Sequence, residues 1–70
     1  MVAVGFRVLV GGISNSHLYD LKKRGCIINK QDDIISVVLP DSGKMKFYDD
    51  RIGFYIYSKC VAIVMKEDLQ

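Results

Sequence analysis

Seventy residues, half of them hydrophobic, carry ten Lys/Arg against eight Asp/Glu for a formal net charge of +2. That size and balance are expected to give one domain over 1–70 and exclude a multi-domain enzyme, a large cofactor fold and the dense basic stripe of a dedicated duplex-DNA binder. A chain this short buries only about 60% of the surface its unfolded form exposes, so help from a partner is expected.

The first element is a strand. Val2, Val4, Phe6, Val8 and Val10 alternate with Ala3, Gly5, Arg7 and Leu9, a period of two with one strongly apolar face. Gly11-Gly12 ends it. A short helix follows, capped by Ser14, with Ile13 and Leu18 at the spacing of a hydrophobic staple. Leu18 and Leu21 share its inner face, and Asp20 and Arg24 stand four apart and can pair. Lys22, Lys23 and Arg24 meet the negative end of the helix dipole, and Gly25 suits the left-handed residue after the helix.

From Cys26 onward short apolar stretches are punctuated by four turns, Lys30–Asp33, Asp41–Gly43, Asp49-Asp50 and Ser58-Lys59. Gly43 is expected to take a positive φ in a three-residue hairpin loop. Opposed residues of an antiparallel pair share a face. These loops set Ile28 against Ile35, Cys26 against Val37, Leu39 against Met45, and Val37 against Phe47. They also set Phe47 against Ile52, Met45 against Phe54, Ile56 against Val61, Phe54 against Ile63, and Ile52 against Met65. Every loop returns the apolar set to one face, which predicts a five-stranded antiparallel meander.

The expected fold is therefore α+β and β-rich: an N-terminal strand, one short helix, then the meander, either an open sheet or a small closed barrel. A short helix followed by five meandering strands is similar in element order to Sm-like and other SH3-like barrels, a likeness that carries no function. The opposite face of the meander holds Ile27, Ile34, Val38, Tyr48, Tyr55, Tyr57, Ala62 and Val64. It is too apolar for plain solvent, and a homo-oligomer is expected.

Little in the chain points to catalysis. Asp32-Asp33 and Asp49-Asp50 fall in turns, where carboxylates bond local amides. Ser14, Ser16 and His17 are neighbours at a helix start and diverge, which leaves a hydrolase as the weakest alternative. One His and two Cys at unsuitable spacing predict neither a metal site nor a disulfide scaffold, and no cofactor is expected. Cys26 reads as an inert buried thiol and Cys60 as a second free one.

Two candidate binding sets remain. Lys46, Tyr48, Arg51, Tyr55 and Tyr57, flanked by Lys44 and Lys59, interleave rings with cations. This composition suits plain half-buried tyrosines first, a protein interface second and single-stranded nucleic acid third. Gly11, Gly12 and Ser14 before the helix, with Lys22, Lys23 and Arg24 at its end, form a weaker candidate for an anion or small nucleotide. The N-terminus has no basic segment before Val2, and the apolar stretches Val2–Phe6 and Cys60–Met65 fall far short of the roughly 20 residues that span a bilayer. The leading expectation is a non-enzymatic protein-binding or regulatory module in the cytoplasm.

Overall fold

A computed structural model describes residues 4–69. Six strands and one helix follow in order: β1 (Gly5–Leu9), α1 (Asn15–Lys23), β2 (Ile27–Gln31), β3 (Ile34–Val38), β4 (Gly43–Phe47), β5 (Arg51–Ile56) and β6 (Lys59–Met65). Short 3-10 turns, Val10–Gly12 and Lys66–Asp68, follow β1 and β6. Among the described residues no helix is long and apolar enough to cross a membrane.

The helix forms as its end signals dictate. The Ser14 hydroxyl accepts from the His17 amide at 3.2 Å, and Arg24 donates to Asp20 at 2.9 Å. At the far end Gly25 takes φ +99°, its amide donates to the Lys22 carbonyl, and the Cys26 amide donates to the Leu21 carbonyl. This pair of bonds satisfies two of the free carbonyls that any helix end leaves, and it lays Cys26 beside the fully buried Leu21.

The strands do not form one meander. They form two antiparallel three-stranded sheets, β1-β3-β2 and β4-β5-β6. β3 pairs with β2 through a tight turn, and its other edge is taken by β1, with Phe6 opposite Val37 and Val8 opposite Ile35. A strand has only two edges, so none is left for β4, and the expected pairs Leu39–Met45 and Val37–Phe47 do not exist. The Leu39 amide is instead used by the Val4 carbonyl, and Pro40 has no amide to extend a ladder. Gly43 does not have a positive φ; it is required by crowding, because a Cβ there would stand 2.6 Å from the Leu39 Cβ.

Two further registers differ from expectation. The β2–β3 turn is the two residues Asp32-Asp33, with Asp32 at φ +57°, so Ile28 opposes Val37 rather than Ile35. That shift is by two residues and keeps the faces. The β5–β6 turn is Tyr57-Ser58, with Tyr57 at φ +55°, followed by a bulge that leaves Val61 without a partner. Ala62 and Val64 therefore turn inward opposite Phe54 and Ile52, and Ile63 turns outward. Only the β4–β5 hairpin keeps the expected pairs, Met45–Phe54 and Phe47–Ile52, around Asp49-Asp50.

Both sheets feed one core. Phe6, Val8, Ile35 and Val37 come from the first, Ile52, Phe54, Val61, Ala62 and Val64 from the second, with Leu21, Cys26 and Leu39 between. The rings of Phe6 and Phe54 join the sheets at 4.5 Å between centroids. The C-terminal segment returns to β1, where Leu69 bridges Val8. The edge strands β2 and β4 lie largely outside this core, so Met45 and Phe47, expected to be buried, are exposed.

Candidate functional site

The outward face of the second sheet is a three-by-three lattice set by the strand registers. One row reads Lys44, Tyr55, Cys60, and the next reads Lys46, Gly53, Ile63. The last reads Tyr48, Arg51, Met65, with the Tyr48 amide bonded to the Arg51 carbonyl. Gly53 makes the centre possible. A Cβ there would lie 3.0 Å from one Tyr55 ring carbon and 3.5 Å from a Tyr48 ring carbon. The two rings lean together across this bare backbone until their hydroxyls meet at 3.4 Å. The hydrogen bond to Tyr48, helped by partial desolvation, pushes the Tyr55 phenol up to about 12.

Charge surrounds the pair. The Lys46 ammonium lies 5.6 Å from the centroid of the Tyr48 ring, a cation–π distance. Arg51 donates two hydrogen bonds to Asp50, at 3.0 and 3.2 Å, and this holds the Asp50 carboxyl below its ordinary range. Tyr48, Asp49, Asp50, Arg51 and Ile63 line an open depression of about 480 Å³.

Four of the five residues expected on this face, Lys46, Tyr48, Arg51 and Tyr55, are thus brought together. Tyr57 is not; it occupies the β5–β6 turn, 79% exposed. Tyr57 lies six residues along the chain from Arg51, the length of β5 and about 20 Å of strand. Sequence reasoning missed Gly53 and Ile63. The glycine had a signal, since a glycine inside a strand marks a close approach. Ile63 had none, because its outward turn depends on the bulge.

The anion candidate is split. Gly11, Gly12 and Ser14 stand at the start of α1, and Lys22, Lys23 and Arg24 at its end, about 13 Å of helix away. Arg24 is committed to Asp20, and the Lys23 ammonium rests 5.3 Å from the Tyr19 ring centroid. A Cβ at Gly11 would touch nothing, so no close backbone approach explains it.

The Ser14–His17 neighbours do not form a nucleophile and base. The Ser14 hydroxyl is the helix cap, and the His17 ring donates from Nε2 to the Val61 carbonyl at 2.8 Å. That carbonyl belongs to the residue the bulge leaves unpaired, so His17 fastens the helix to β6. Both cysteines are free, Cys26 buried with its thiol pushed up by desolvation and Cys60 exposed on the lattice. Among the described residues no three His, Cys, Asp or Glu side chains gather as a metal site. Comparison with known proteins returns no family model, no curated protein and no solved structure that matches this chain.

Proposed function

We propose that this chain is a small non-enzymatic protein-binding module, of inhibitor or adaptor kind, whose binding face is the outer lattice of the second sheet. The observation that carries the reading is the Tyr48–Tyr55 pair, packed over Gly53 and bordered by Lys46, Arg51 and exposed Ile63. Tyrosine and arginine around an apolar centre are the residue types that concentrate binding energy at protein interfaces. Single-stranded nucleic acid or a small nucleotide fits less well. Arg51 is committed to Asp50, and Asp49 adds a further negative charge. Two free cysteines, one exposed, fit a reducing compartment such as the cytoplasm.

The test is quantitative affinity capture with the intact chain and with Tyr55→Ala. Hot-spot truncation is expected to weaken capture of the specific partner by about thirtyfold or more with the fold retained by circular dichroism. Capture that survives Tyr55→Ala and Lys46→Ala together removes this face as the site. A homo-oligomer is a second reading, favoured by the exposure of Met45, Phe47 and Ile63. A monomer mass by light scattering at high protein concentration ends it.

A further inference from the structure

β4 is the outer strand of its sheet, and its two sides differ in chemistry. The Tyr48 amide donates to the Arg51 carbonyl and the Tyr57 amide to the Ser42 carbonyl. In an antiparallel ladder the bonded residues alternate, so Lys44, Lys46 and Tyr48 direct their amides and carbonyls toward β5. Met45 and Phe47 direct theirs away, to an edge that no described residue pairs. The same two residues carry exposed apolar side chains, 42% and 64% accessible, on the inner face where the first sheet does not reach. Lys44 and Lys46 project from the opposite face, roughly 7 Å apart along the strand.

Resting on the protein-binding reading, we propose that the β4 edge takes an extended segment of a protein partner as an added antiparallel strand. Acidic residues of that segment stand opposite Lys44 and Lys46, and apolar residues stand opposite Met45 and Phe47. The free amides and carbonyls demand a strand rather than a helix, because only a strand returns their hydrogen bonds in register. Charge selects the partner. A second copy paired about Met45 would set Lys44 against Lys46 twice, and a shift by one pair would set Lys46 against itself. Like charges directly opposite are destabilising. The register about Phe47 leaves the strand after one residue and enters the Asp49-Asp50 turn. An alternating acidic–apolar strand meets neither obstacle, and each carboxylate joins its lysine in the closer, non-hydrogen-bonded kind of pair.

The probe is a capped, labelled six-residue peptide alternating glutamate and valine, with a lysine–valine counterpart as the control. Binding to the intact chain is read by fluorescence anisotropy and by amide hydrogen exchange. The glutamate peptide is expected to bind about tenfold more tightly than the lysine peptide, and K44E with K46E is expected to reverse that order. Exchange at the Met45 and Phe47 amides should slow on binding. Met45→Pro removes an outward donor without costing a β5 bond, so it should fold and lose the peptide. Equal affinity for the two peptides, or unchanged exchange at Met45 and Phe47 under saturation, overturns the proposal. Protection of those amides by dimerisation without peptide also overturns it, in favour of a second copy. If the peptide result is negative while Tyr55→Ala still abolishes partner capture, the outer face stands and the added strand falls.

Discussion

Tyr55 is the residue whose chemistry departs furthest from its ordinary behaviour, and the cause is a neighbour that a linear reading cannot supply. Tyr48 lies opposite Arg51, not opposite Tyr55, and reaches it only because Gly53 leaves the space between them empty. The phenol is raised from its usual 10 to about 12, first by the hydrogen bond with Tyr48 and then by desolvation. A raised pKa on an acid means the folded state favours the neutral form. Whatever the pair adds to stability is whole below pH 10 and is lost as pH climbs through about 12. Following the Tyr55 ring carbon by NMR through an alkaline titration should give this late midpoint. Tyr48→Phe should return it toward 10. A midpoint indifferent to Tyr48→Phe would assign the shift to burial alone.

At the scale of elements, legibility followed contrast. The helix carries independent signals at every position that matters: Ser14 at the cap, Ile13 and Leu18 flanking it, Asp20 with Arg24, and Gly25 after it. The cap, the ion pair and the left-handed Gly25 are realised in the structure, and Ile13 and Leu18 both pack against the core. The β4–β5 hairpin was also readable, because Lys44 and Lys46 alternate with Met45 and Phe47 and fix the parity. β6 offers no such contrast. Cys60 through Met65 is apolar throughout, so a register one residue off looks as good as the true one, and the bulge at Val61 is silent in sequence. His17 meets the bulge, its ring donating to the carbonyl of the residue that has no partner in the register. His17→Ala should therefore cost about 1–3 kcal/mol in urea unfolding, the penalty of stranding a polar group with little access to water. His17→Gln, which keeps a donor, should recover part of it. A His17→Ala chain as stable as the parent would mean that water replaces the ring at no cost.

At the scale of the whole molecule, loop lengths constrain only neighbouring strands, and the pairing that decides the architecture is not between neighbours. β1 joins β3 across the helix and β2, takes the edge that a meander would have given β4, and divides the strands into two sheets. The sequence left this open because apolar alternation assigns the faces of a strand and does not say which strand edges meet. The outcome is a core closed within one chain: the radius of gyration is 11.2 Å, against about 11 Å for a lone domain of this length. Two phenylalanines separate that core from the surface. Phe54 is 1% exposed and packs on Phe6, whereas Phe47 is 64% exposed on β4. Phe54→Ala should cost about 3–5 kcal/mol. A domain of this size has only about 3–10 kcal/mol to lose, so the denaturant midpoint should collapse and amide dispersion should narrow. Phe47→Ala, the same chemical change, should move stability by no more than about 0.5 kcal/mol. If the two variants cost alike, Phe47 is buried in solution, and a second copy of the chain is what covers it.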